Sequence, residues 1–107
     1  MISEILTAAG IANHRRARFV KPPAGTYAVW MDDIDTDGPD GMTPAIFHHS
    51  VTVELYEPRP DDTAEASLEM QMGTWGLHWT KQDRYWISSE QLYQVIYEFS
   101  YIEKRRN

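Results

Sequence analysis

Asp32, Asp33, Asp35, Asp37 and Asp40 crowd into one segment, DDIDTDGPDGMTPA, together with two glycines and two prolines. Asp33, Asp35, Asp37 and Gly38 copy the opening of a calcium loop. In such a loop, carboxylates at alternate positions ligate the ion and a glycine makes the turn. The copy then fails. Pro44 stands where a bidentate Glu should close the site, Pro39 directly follows the glycine, and no helix pattern flanks the segment. The segment therefore reads as a long, solvated acidic loop, and loops of that length in small domains usually carry function. Its carboxylates repel a polyanion. Around a channel shared by several copies of the chain, they would make a wall to which DNA does not adhere. A small ion-binding domain using Asp33, Asp35 and Asp37 is the alternative from a different functional class.

Other reactive side chains offer less. His48 and His49 are adjacent in a strand-like run, so they point to opposite faces and cannot chelate one ion. His78 is distant in sequence, and no ligand spacing predicts a metal site. Ser88 and Ser89 read as turn residues, with no nucleophile elbow or Ser-x-x-Lys around them. Glu54 and Glu98 sit on the polar parity of their strands, where a solvated charge is the ordinary outcome. No glycine loop would cradle a phosphate. We expect no catalytic site, no metal and no cofactor, and the chain reads as a non-enzyme.

Charge and aromatic content point to assembly. The chain has 107 residues, 10 basic and 16 acidic, for a net charge of −6, which disfavours a general nucleic-acid binder. The basic side chains that it has cluster at Arg15, Arg16, Arg18 and Lys21. A basic patch and an acidic loop on one chain favour head-to-tail, ring-closing contact over two-fold pairing. Arg15, Arg16 and Arg18 are candidates for subunit or partner contact. Four Trp, six Tyr and three Phe are more than one small core readily hides. Trp30, Tyr56, Trp79 and Trp86 are hard to bury together, and Trp30, Tyr56 and Trp86 are candidate interface anchors. There is no cysteine, so disulfides and thiolate chemistry are excluded. No apolar run approaches the ~20 residues that a membrane-spanning helix requires, and no signal peptide is apparent at the start. The cytoplasm is the expected site of synthesis.

The elements follow from periodicity. Ile2, Ile5, Leu6 and Ala9 mark a short helix that Gly10 ends. Pro22, Pro23 and Gly25 break the chain before a short strand over 26–31, with Tyr27 and Val29 on one face and Trp30 on the other. The run 47–57 alternates cleanly, with Val51, Val53 and Leu55 on one side and Ser50, Thr52, Glu54 and Tyr56 on the other. Asp62 and Glu65 have capping-box spacing, and Ala64, Leu68, Met72 and Trp75 continue a helical stripe. Another strand falls within 77–88, and a turn over 88–91 leads into the last. There Tyr93, Val95, Tyr97, Phe99 and Tyr101 share one face, while Leu92, Gln94, Ile96, Glu98, Ser100 and Ile102 make a mixed second face. The expectation is one α+β domain over 1–107, in the order α-β-β-α-β-β. Its four-stranded, mainly antiparallel sheet carries both helices on one face.

The closing phrase Trp86-Ile87-Ser88-Ser89-Glu90-Gln91-Leu92-Tyr93-Gln94-Val95-Ile96-Tyr97-Glu98-Phe99 resembles the closing phrase of small proteins from tailed-phage and prophage genomes. So do the strand end Val53-Glu54-Leu55-Tyr56 before an acidic helix, and the short opening helix before Pro22, Pro23 and Tyr27. The resemblance covers most of the chain and is heaviest in its last twenty or so residues. It implies a tail-completion, or tail-terminator, component of α+β fold. Such a protein caps the finished tail tube as a ring, typically a hexamer, and presents the surface that joins the head connector. The implied partners are further copies of the chain, the tail tube protein and the head connector, with DNA passing through unbound. The implied location is the virion neck, after assembly in the bacterial cytoplasm. Another neck component, a connector or stopper, is the near alternative. The chain departs from its relatives in its bulkier Asp-rich loop and extra tryptophans.

Overall fold

The two cleanest alternating runs become the centre of the sheet. A computed structural model describes residues 1–37 and 46–104. Along the chain it has α1 (Ile2–Ala8), β1 (His14–Arg16), β2 (Tyr27–Asp37), β3 (Ile46–Glu57), α2 (Asp62–Thr74), β4 (Trp79–Lys81), β5 (Tyr85–Ile87) and β6 (Leu92–Lys104). The strands lie in the order β1-β2-β3-β6-β4, and β5 also pairs with β6. β1 runs parallel to β2; every other pairing is antiparallel. The α+β class stands, but the sheet has six strands and not four. The extra strands come from segments too short to show a period. β1 is three basic and imidazole side chains, His14-Arg15-Arg16. The single strand expected within 77–88 divides into β4 and β5, because an extra residue between the pairs Lys81↔Tyr97 and Tyr85↔Gln94 interrupts the ladder along β6.

The strand expected over 26–31 is also longer. β2 continues through Asp37, held in register with β3 from Tyr27↔Tyr56 to Asp37↔Ile46. Asp32, Asp33, Asp35 and Asp37 are therefore strand residues and not loop residues, and Asp40 lies outside the described residues. Strand pairing with the β-branched and aromatic run of β3 overrides the low strand propensity of Asp. It also replaces the curled loop on which the calcium pattern depended. Among the described residues, no group of three or more His, Asp or Glu side chains could hold a metal ion.

Both helices pack on one face of the sheet, as the apolar stripes require. Ile2, Ile5 and Leu6 of α1 and Leu68 and Met72 of α2 join Ala28, Val51, Val53, Leu55, Val95, Tyr97 and Phe99 in one core. Each helix ends on a left-handed glycine. The Ile11 N–H reaches the Leu6 carbonyl and the Gly10 N–H the Thr7 carbonyl, with Gly10 at φ +83°. α2 repeats the device with Leu77 to Met72 and Gly76 to Gly73, Gly76 lying at φ +73°. The start of α2 falls one residue earlier than the capping-box spacing predicts. Asp61 is the N-cap and accepts the Ala64 N–H at 3.0 Å. That leaves Glu65 to turn inward, where it is 2% exposed.

Leu55 is fully buried at the junction of β2, β3 and β6. Leu55→Ala should cost about 2–5 kcal/mol, read as a lower urea midpoint at unchanged slope.

Candidate interaction surface

The helical layer is much shorter than the sheet. β2, β3 and β6 have 11, 12 and 13 residues, and α1 only 7. The molecule consequently measures 49 × 28 × 22 Å. Past Val51 and Phe99, the three long strands leave the apolar core and run on as a blade. Two buried charge clusters deal with this shape, one on the blade and one under α2.

On the blade, His49 sits between two carboxylates. Its Nδ1 lies 2.8 Å from Asp32 Oδ2 and its Nε2 2.8 Å from Glu103 Oε1. Ionised carboxylates only accept, so both ring nitrogens must carry protons and the imidazole is cationic here. Burial pulls the His49 pKa down, but the hydrogen bonds and charges of Asp32 and Glu103 outweigh it and leave it above the ordinary histidine value. Tyr101 stacks on the ring at 4.3 Å and 8°. One side chain of β3 thus clamps β2 to β6 beyond the reach of the helices. The clamp also withdraws one of the five aspartates proposed for a channel, since the Asp32 side chain is only 8% exposed. Asp33 and Asp35 lie on the opposite face and are exposed.

Under α2, Glu57 and Glu65 meet in the interior. Glu57 is fully buried, and burial, reinforced by Glu65, pushes its pKa up to about 8. Its carboxyl faces Glu65, and the Arg84 Nε stays 3.9 Å away, so the protonated acid donating toward Glu65 is the state that fits. Burial would raise the Glu65 pKa, but Arg84 and Lys81 overcome that and hold it below the usual range. The Arg84 Nε donates to Glu65 at 2.8 Å, and its Nη2 pairs with Asp62. Lys81 Nζ bridges Glu65 at 2.8 Å and Glu69 at 2.7 Å, and the Tyr97 hydroxyl donates to Glu69 at 2.7 Å. Paired carboxylates with divergent pKa values are the usual apparatus of acid–base catalysis. Here Glu57 is sealed from solvent, so no substrate reaches it, and the cluster fastens α2, β4 and the β4–β5 link to the sheet.

The second face of the sheet buries Tyr27 and Val29 near the start of β2 but is open and polar further along. Ser50, Thr52, Thr80 and Ser100 line a groove flanked by Asp33, Glu98 and His78. Glu54, Tyr56 and Gln94 form a hydrogen-bonded trio beside it. Glu54 and Glu98 are thus on the solvated parity, as expected, and His48 faces away from His49.

The remaining candidates scatter. Arg16 lies over the Trp30 ring at 5.3 Å and Arg15 over Phe19 at 5.4 Å, while Arg18 is exposed. Tyr56 stacks on Tyr27 at 5.0 Å. Trp30 is half-buried against the core. Trp86, packed on Tyr93, stays 40% exposed. Trp75, assigned by its spacing to the buried stripe, is exposed instead, because α2 ends before it. The sequence reading missed His49, Glu57 and Glu65 as buried groups. A signal was present for two of them: His49 and Glu57 share the parity of Val51, Val53 and Leu55, the core face of β3.

The clusters give stability an alkaline limb. Glu57 has a raised folded pKa, so the folded state holds a proton that the unfolded chain releases, and stability falls as pH rises from about 4.5 towards 8. His49 acts in the same direction, its contribution being lost as pH rises from 6.5 through its raised folded value. Tm should therefore fall between pH 6 and 9. Glu57→Gln should flatten most of that decline, and His49→Gln part of the remainder, in thermal melts across this range. No family model matches the chain, and comparison with curated proteins finds no match.

Proposed function

We propose that the chain is a structural protein of a phage or prophage tail, a tail-completion or terminator component. It works as a ring of copies, a hexamer on the resemblance, that caps the tail tube and joins it to the head connector. The observation that carries this reading is the blade: three strands extend past the helical layer and, among the described residues, part of each outer edge has no strand beside it. An unpaired edge is a template for another chain, and two different edges on one subunit favour a closed, head-to-tail ring. The closing strand phrase and the net charge of −6 agree with it. In such a ring the exposed Asp33 and Asp35 would keep DNA from adhering as it passes. Assembly would take place in the bacterial cytoplasm, and the finished protein would sit in the virion neck.

Deleting the gene from its phage or prophage is the direct test. The lysate should contain filled heads and separate tails, visible by electron microscopy, and added protein should restore joined particles. Rings of the protein found on heads and not on tube ends would make it a connector or stopper. Joined, infectious particles in its absence would end the assignment.

A further inference from the structure

The basic side chains and the acidic groove lie at opposite borders of the sheet. In the strand order β1-β2-β3-β6-β4, β1 is one border and β4 the other. β1 and the chain after it carry Arg15, Arg16, Arg18 and Lys21, all exposed. Arg15 lies over Phe19 and Arg16 over Trp30. Among the described residues, none of the four forms an ion pair with a carboxylate. Lys81 and Arg84 differ in this respect, being held by Glu65, Glu69 and Asp62. Phe19 packs edge-on against Tyr27 at 5.5 Å, and Tyr27 stacks with Tyr56 on the second face of the sheet. The basic segment therefore rises on that face, at the β1 border.

The groove is on the same face and reaches the β4 border. Its rows follow the register. Met31, Thr52, Glu98 and Thr80 are level with one another, and Asp33, Ser50 and Ser100 are level two residues further along β2. His78 flanks the β4 end. Asp33 and Glu98 are the carboxylates of the groove, and both are exposed. Glu98 accepts the Gln82 amide at 3.2 Å, but neither carboxylate has a cationic partner among the described residues. The heights agree. Arg16 is level with Trp30, and the Ala17 N–H donates to the Trp30 carbonyl at 2.8 Å. Ala17, at φ +71°, turns the chain there, so Arg18 stands near the level of Met31, in the row of Glu98 and Thr80. Rotation about an axis along the strands preserves height, and it brings the β1 border of one copy beside the β4 border of the next.

We propose that the basic segment 15–21 of one copy docks in this groove of the next, Arg18 and Lys21 meeting Glu98 and Asp33, so that the partner is a second copy of the chain. The proposal rests on the ring reading above and deepens it by naming the contact. Charge complementarity selects this arrangement. Groove against groove would set carboxylates against carboxylates, and segment against segment would set cations against cations; such like-charge juxtaposition is costly. Segment against groove pairs opposite charges. It also uses two different surfaces of one subunit, which is the condition for a closed head-to-tail ring. The short side chains of Ser50, Thr52, Thr80 and Ser100 leave room for long cationic ones, and their hydroxyls accept guanidinium or ammonium N–H groups. Exposed ion pairs are individually weak and are screened by salt, so the contact forms at high local concentration and dissolves as salt rises.

Isotope-labelled and unlabelled copies test the contact. They are mixed at high concentration and low salt, treated with a carbodiimide, which joins amines to carboxylates, and digested for mass spectrometry. Links between one labelled and one unlabelled peptide should join Lys21 to Glu98 or Asp33, and high salt should remove them. Two charge-reversed proteins extend the test, one with Arg18→Glu and Lys21→Glu, the other with Asp33→Lys and Glu98→Lys. Each alone sets like charge against like and should lose about tenfold of the cross-linked dimer on a denaturing gel. Mixed together they should regain it, because acid then meets base at every contact. All four positions are exposed, and an unchanged far-UV spectrum and Tm check the fold. The absence of labelled-to-unlabelled links, Lys21 links spread evenly over Glu4, Asp62 and Glu90, an undiminished dimer in either variant alone, or no recovery on mixing would overturn the docking. Cross-linked rings that ignore tail tubes would remove the neck assignment and leave the contact. Tube capping by either variant alone would do the reverse.

Discussion

The mismatch in length between three long strands and two short helices governs this molecule. A helix rises ~1.5 Å per residue and a strand ~3.3 Å. The 7-residue α1 and 13-residue α2 therefore cover only part of strands 11 to 13 residues long. The covered part is an ordinary two-layer core. The uncovered part must hold three strands together without an apolar layer, and it does so with charge. His49 serves as a cationic bolt between Asp32 and Glu103, capped by the Tyr101 ring. Because removing one member would strand buried charge, such a clamp fixes register more surely than it adds stability.

The interior cluster under α2 follows the same logic from the opposite end. α2 presents Leu68 and Met72 to the core but also buries Glu65, and β3 ends on the buried Glu57. Two carboxyls cannot both ionise in so apolar a setting. Arg84 and Lys81 take one, and a proton neutralises the other. The short link between β4 and β5 is thereby tied to α2 and to β6, so that three-residue strands with almost no core of their own keep their place. The open face needs no such device. Its hydroxyls and carboxylates remain in water.

What was legible in the sequence was what repeats. The period-two runs of β3 and β6 placed their core faces correctly, because alternation over many residues is set by the pleat and by burial on one side alone. Gly10 marked the end of the first helix, since a left-handed residue there favours glycine whatever surrounds it. Segments of three residues carried no period: His14-Arg15-Arg16 read as a basic patch, and β4 and β5 merged into one strand. The aspartates of β2 misled for a related reason. Their local chemistry favours turns, and only the neighbouring strand makes them extend.

The amino-acid order by itself therefore determined the α+β class, both helices and the two central strands, because those depend on local propensity and on a repeating apolar pattern. Tertiary structure alone decided where the charges went. Asp32, His49 and Glu103 are far apart in the chain, as are Glu57, Glu65 and Arg84, and nothing in their spacing announces that they meet. Strand register and helix docking bring them together. Electrostatic partnership depends on distance in space, which the linear order does not encode locally.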